Sequence, residues 1–208
     1  MSPATRRTLR LAGAGRGAAV AAALAVSSAL GVAACSTDVG ASTPASNGQS
    51  FVAGSPGATV FKSGAGPMAP SVSGPVVGGG RLALTSYRGH VVVLNFWGSW
   101  CTPCRAEAPG LAALATAFKS SGVRFLGIDI RDSPASAQAF MSDFRITYPS
   151  LNDPSDNLAL DFRDTVPPAG IPTTLVISRS GRITARVIGE TTYNGLKALV
   201  QRAASEPG

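Results

Sequence analysis

The chain has 208 residues, of which 45% are hydrophobic and 14% charged. That length suits one ordinary domain with additional segments, and the composition is too apolar for a wholly disordered chain. Three cysteines are too few for a small disulfide-stapled fold. The net charge of +7 loses its force as a nucleic-acid signal once it is located: removing residues 1–34 takes away Arg6, Arg7, Arg10 and Arg16 and no acid, leaving 14 basic and 11 acidic residues and a net charge of +3. The sequence has no Arg/Lys patch interleaved with aromatics, so nucleic acid is not an expected partner.

Residues 1–34 have the order of an export signal: a basic start to Arg16, then an uncharged run from Ala18 to Ala34 rich in Ala, Val, Leu, Gly and Ser. The run is short and Ala-rich for a spanning helix, which needs about 20 predominantly apolar residues. It ends in Val32-Ala33-Ala34-Cys35, which resembles the bacterial lipobox, where cleavage precedes a cysteine that then carries lipid. The expectation is a lipoprotein signal peptide over 1–34 and lipidation at Cys35. Thr5-Arg6-Arg7-Thr8-Leu9 is a weak match to a twin-arginine signal, so the export route stays open. Residues 35–66, dominated by Ser, Thr, Gly, Pro and Ala, predict a flexible tether with local docking of Phe51-Val52 and Val60-Phe61 at most. One folded domain is expected over 67–208.

Within it, residues 81–84 read as a short strand after the Gly78-Gly79-Gly80 turn, and residues 91–97 as a strand buried on both faces. Residues 106–120 carry Leu111, Leu114 and Phe118 at helical spacing, with Pro109 as a kink. Residues 123–130 predict the next strand. Ser133-Pro134 is an N-cap followed by proline, opening a helix with Phe140, Met141 and Phe144 on its apolar face. A short helix over 155–162 follows. Residues 173–177 and 183–188 form a hairpin around Gly181, and a last helix carries Leu196, Leu199 and Val200. Helices alternating with buried strands predict an α/β fold with a parallel core and an antiparallel edge.

Trp100-Cys101-Thr102-Pro103-Cys104 follows the buried strand and opens a helix. A zinc knuckle needs four ligands, and the chain has no second pair and one histidine, His90. Haem attachment needs histidine after the second cysteine, where Arg105 stands. No metal or other cofactor is therefore expected, and a dithiol/disulfide redox pair is left. At i and i+3 of a helix start, both sulfurs lie on one side of the first turn. Cys101 is nearest the unpaired N–H groups and the positive end of the dipole, which favour its thiolate. Cys101 should attack and Cys104 resolve. A purely structural disulfide is the competing reading, although so short a loop removes little chain entropy.

Phe96-Trp97-Gly98-Ser99-Trp100-Cys101-Thr102-Pro103-Cys104 resembles the active site of the thioredoxin superfamily. Arg105-Ala106-Glu107-Ala108-Pro109 after it, and Tyr87-Arg88-Gly89-His90-Val91-Val92-Val93 before it, resemble the TlpA/ResA-like branch. The resemblance implies a thioredoxin-like fold: a central mixed β-sheet flanked by helices on both faces, with an N-terminal β extension. It implies that Ile171-Pro172-Thr173 is the cis-proline loop, with Ile171, Pro172 and Trp100 contacting substrate and Trp97 in the core. Glu107 matches the branch's active-site glutamate. It either takes the proton of Cys104 during resolution or is a first-turn acid placed for the helix dipole. Asn95 stands where many cytoplasmic thioredoxins carry a buried aspartate and cannot accept a proton. Asp129, at a strand end, is read as solvated.

The function so implied is that of a monomeric thiol–disulfide oxidoreductase tethered to the extracytoplasmic face of the cell membrane. Its clients are proteins with thiols or disulfides, with apocytochrome c among the candidates, and a membrane thiol donor re-reduces it. A disulfide-introducing oxidant and a non-catalytic binding lipoprotein are the alternatives. A peroxiredoxin is disfavoured, because its threonine-containing peroxidatic loop is not visible.

Overall fold

The computed structural model describes residues 49–51, 57–167 and 170–206. The signal segment 1–34 and Cys35 lie outside them. Among the described residues the strands are β1 (Gln49–Phe51), β2 (Ala58–Phe61), β3 (Ser73–Pro75), β4 (Arg81–Ala83), β5 (Val91–Trp97), β6 (Val123–Ile130), β7 (Ser150–Asp153), β8 (Thr173–Ile177) and β9 (Ile183–Ile188). The helices are α1 (Thr102–Ala117), α2 (Pro134–Asp143), α3 (Asn157–Leu160) and α4 (Tyr193–Ser205), with a 3₁₀ turn at Leu84–Tyr87. Seven strands form one mixed sheet in the order β1-β2-β9-β8-β5-β6-β7, and β3 and β4 pair separately.

The sheet is built around β5, whose seven residues Val-Val-Val-Leu-Asn-Phe-Trp are all buried. It pairs in parallel with β6 and antiparallel with β8. β6 continues in parallel to β7, while β8, β9, β2 and β1 run antiparallel in turn. The alternation of a strand sends Val91 and Val93 into a core with Leu111 and Leu114 of α1 and Leu196, Leu199 and Val200 of α4. Trp97 joins the same side, against Ala137, Phe140 and Met141 of α2. Val92, Leu94 and Phe96 point the other way, into a core with Leu84, Leu126, Leu151, Phe162 and Leu175. The second face is covered more lightly than the first, by the 3₁₀ turn, the segment carrying β3 and β4, and α3.

Two expectations need correction. The tether expected over 35–66 contains two strands, and β2 is fully buried. Ala58, Thr59 and Val60 pair with Val187, Arg186 and Ala185 of β9, so the ladder covers an edge that β9 would otherwise leave open. These backbone bonds and the burial of Ala58, Val60 and Phe61 offset the ordering cost that composition alone suggested. The strand β7 was absent from the predicted elements, because Ser-Leu-Asn-Asp offers one large apolar residue and no alternation. It forms because β6 presents a full parallel edge to it, from Gly127↔Ser150 to Ile130↔Asp153.

Candidate active site

The chain leaves the sheet at Trp97 and enters α1 at Thr102, with Gly98 to Cys101 as the connection. Cys101 is the N-cap of α1, with extended backbone (φ −85°, ψ 109°). Its Sγ accepts the N–H of Cys104 at 3.3 Å, one of the first-turn amides with no partner inside the helix. Pro103 lies in that first turn, where the absent N–H costs nothing. Cys101 and Cys104 are joined in a disulfide with Cα atoms 5.2 Å apart. Both cysteines are buried, Cys101 with 4% exposure and Cys104 with 1%, and Cys101 is the one that borders the surface cleft.

That sulfur opens onto a cleft of about 350 Å³ walled by Trp100, Cys101, Thr102, Pro103, Arg131 and Ile171. Trp100 is half exposed and Trp97 buried. A Cβ on Gly98 would lie 2.7 Å from Nε1 of Trp100, so the glycine leaves the indole room to lie back along the loop. The Ile171–Pro172 peptide is cis, and Ile171 packs against the cluster that contains both cysteines. Trp97 is stacked on Phe140, ring centroids 4.4 Å apart, and its Nε1 donates to Ser150 Oγ at 3.2 Å. Gly127 makes that bond possible: a Cβ there would be 2.1 Å from Ser150 Oγ and 2.6 Å from the indole nitrogen.

Glu107 is 3% exposed and lies one turn beyond Cys104 on the same face of α1. Its Oε1 accepts from Nδ2 of Asn95 at 2.8 Å and its Oε2 from the N–H of Thr191 at 2.9 Å. Burial pushes its pKa up to about 7; the bonds from Thr191 and Asn95 oppose the rise, and Glu190 adds to it. A surface acid serving only the helix dipole would be solvated, and this one is not.

Three groups near the motif had escaped the sequence reading. Asp129, expected to be solvated, is fully buried, since β6 is covered on both of its faces. Its Oδ2 accepts from Asn152 Nδ2 at 3.0 Å, and its Oδ1 meets no donor. Burial raises its pKa to about 7 against the Asn152 bond, with Asp132 and Asp153 raising it further. Asp132 accepts the N–H of Ser99 at 2.7 Å and that of Ser133 at 2.9 Å, tying the loop before Cys101 to the start of α2. Arg131 stands over the Trp100 ring at 5.3 Å. The near-continuous apolar run of β6, which marks a strand covered on both faces, could have found Asp129; Asp132 and Arg131 depend on contacts across the fold that no local pattern announces. The structure brings Cys101, Cys104, Glu107, Trp100, Ile171 and Pro172 into one region, while Cys35 lies outside the described residues.

Comparison with known proteins agrees with this geometry. The family model described as the AhpC/TSA family matches residues 65–186. The thiol:disulfide interchange protein HelX of Rhodobacter capsulatus is 37% identical over 105 residues, covering 50% of this chain and 55% of that protein. The thiol-disulfide oxidoreductase ResA of Bacillus subtilis is 35% identical over 114 residues, covering 55% of this chain and 62% of that protein. The matches thus span less than two thirds of these curated relatives. A secreted thiol-disulfide isomerase from Corynebacterium glutamicum superposes with a TM-score of 0.68 at 30% identity, covering 76% of this chain and 100% of that one. The fold is thioredoxin-like.

The raised carboxyl makes a prediction about stability. Folded Glu107 holds its proton to about pH 7, whereas its ordinary value is 4.5. Between those values the unfolded chain binds fewer protons, so stability falls as pH rises from 4.5 to 7 and levels off above. Glu107→Gln should flatten this part of the profile in the oxidised protein. At roughly 1.4 kcal/mol per pKa unit its share is about 3 kcal/mol, read from urea unfolding at pH 4.5 and 8. Asp129, raised in the same sense, leaves a residual slope; an unchanged profile in the variant would contradict the buried, proton-holding glutamate.

Proposed function

The chain belongs to the AhpC/TSA family, and on that footing we propose that it is a thiol–disulfide oxidoreductase acting on protein clients outside the cytoplasmic membrane. The observation that carries the reading is the sulfur of Cys101 at the N-terminus of α1, accepting the Cys104 amide and bonded to the Cys104 sulfur, with Ile171 packed beside the pair. In the reduced protein the Cys101 thiolate attacks a client disulfide. A Cys101–client disulfide forms and the client's other sulfur leaves as thiolate. Cys104 then gives up its proton and attacks Cys101 Sγ, forming the Cys101–Cys104 disulfide and releasing the second client thiolate. The client gains two electrons and the enzyme dithiol loses them. A membrane thiol donor restores the dithiol.

Glu107 is the base assigned to Cys104. It lies one turn away on the same helix face, and a carboxyl that titrates near neutrality is matched to taking a proton at working pH. Asn95 orients it through the 2.8 Å bond and takes no proton itself. Ile171, Pro172 and Trp100 are the assigned client contacts, the loop at Pro172 offering backbone beside the reacting sulfur. The resemblance of residues 87–109 to the TlpA/ResA-like branch supports the reductant direction, with apocytochrome c thiols among the clients. The lipobox-like Val32-Ala33-Ala34-Cys35 supports a lipid anchor at Cys35, and the protein works as a monomer.

One observation favours the oxidant as a second reading: an N-cap contact that stabilises the thiolate stabilises the reduced form and raises the potential. Equilibration with glutathione separates the two, since a midpoint near −270 mV marks a reductant and one near −120 mV an oxidant. Replacement Cys104→Ser should leave clients trapped on Cys101 as mixed disulfides, recovered from cells by non-reducing electrophoresis. An empty trap would favour a binding lipoprotein whose disulfide is only structural. With Glu107→Gln, decay of such mixed disulfides in the presence of Cys104 should slow by 10²-fold or so, and unaltered decay would remove the base. Replacement Cys35→Ala should move the protein from the membrane fraction to the soluble one, and unchanged retention would exclude the lipid.

A further inference from the structure

Three non-glycine residues among those described have left-handed backbone, and two of them are partners: Arg131 (φ 50°) and Asp156 (φ 59°). Their salt bridge joins Arg131 Nε to Asp156 Oδ2 at 3.0 Å. Such backbone is costly for a residue with a Cβ and persists where the surroundings impose it. Here it turns one side chain from the end of β6 and another from the start of α3 toward each other above the cleft. The guanidinium also lies over the ring of Trp100 at 5.3 Å. Arg131 is therefore held from two sides while its side chain remains 42% exposed, and it shares the wall of the cleft with Cys101.

The bridge to Asp156 engages Nε, and no hydrogen bond from the two Nη groups is found among the described residues. A guanidinium fixed at Nε and stacked on one face presents its outer edge as a preformed fork for a planar anion. The charges around the cleft agree. Arg105 flanks the motif, stacked over Phe144 at 5.1 Å. Arg163 lines the neighbouring cleft, which meets the first at Ile171. Of the carboxylates close by, Asp132 accepts the amides of Ser99 and Ser133, and Asp156 holds Arg131 through Oδ2 while its buried Oδ1 and that of Asp129 have no partner among the described residues.

We propose that Arg131 is a specificity-determining residue of the exchange, gripping a carboxylate that the client carries beside its reacting cysteine. The preferred clients then present an acidic side chain next to the cysteine that bonds to Cys101. Preorganisation by Asp156 and Trp100 spares the client the ordering cost of a mobile arginine. The inference rests on the exchange activity proposed above.

The test uses the reduced full chain and two model peptides with an intramolecular disulfide, identical except for Glu or Gln beside one cysteine. The readout is the ratio of their second-order reduction rates, which is independent of the fraction of active protein. The unsubstituted chain should favour the Glu peptide by about fivefold to tenfold at low salt, as one partly exposed charge-assisted hydrogen bond allows. In Arg131→Met the ratio should fall to about one. Arg131→Lys should keep part of it, because a point charge lacks the fork. Asp156→Asn, which retains the arginine and loosens it, should lower the ratio as well. Equal rates for the two peptides in the unsubstituted chain, or a preference that survives Arg131→Met, would overturn the role of Arg131 while leaving the exchange reading intact. Reduction of neither peptide would overturn both.

Discussion

A helix begins with amide groups that its own backbone cannot use, and this site is arranged so that one of them meets a sulfur. Everything else follows from keeping Cys101 at that point. The buried strand β5 fixes where the chain leaves the sheet. Trp97, stacked on Phe140 and bonded to Ser150, anchors the last residue before the loop. Asp132 holds the Ser99 amide and so sets the path of the loop itself. Pro103 shapes the first helical turn without wasting a donor. The result is a sulfur whose anion is favoured by position, with a second sulfur one turn behind it.

Around this pair the carboxyl groups are sorted by solvation. Asp132 keeps part of its surface in water and serves as an acceptor for two backbone amides. Glu107 and Asp129 are taken out of water, and both hold protons to about pH 7. Their differing neighbours suggest different uses. Glu107 has a donor on each oxygen and lies along the helix from Cys104, whereas Asp129 has one unsatisfied oxygen and lies beneath a loop already carrying another acid. The cationic side chains stand outside this buried group, at the rim where a client would arrive.

What could be read from the sequence was whatever a local pattern encodes. The near-continuous apolar run of residues 91–97, the cysteine spacing at a helix start, the Ser133-Pro134 cap and the Gly181 hairpin each express one element's own physics, and each appears in the structure. The elements that escaped depend on partners far away in the chain. β2 looks like linker because its Ser- and Gly-rich surroundings dominate the composition, and it becomes a strand through β9. β7 is too polar to announce itself and exists because β6 offers an edge. The site divides in the same way. Cys101 and Cys104 stand out by motif and spacing, whereas Glu107 and Pro172 are marked as candidates only by the family resemblance. The burial of Asp129 follows from the apolar run of β6, but the clasp of Asp132 on Ser99 and the position of Arg131 over Trp100 are products of the folded arrangement.

The central claim concerns the state of one sulfur, and its acidity is the most direct measure of it. In a reduced Cys104→Ser protein, the rate of iodoacetamide alkylation at Cys101 followed across pH 4 to 10 gives the pKa of that thiol. The account predicts ready reaction and a pKa at least one unit below the free-cysteine value of about 8.5. A value at or above 8.5, or a thiol closed to the reagent at every pH, would contradict it.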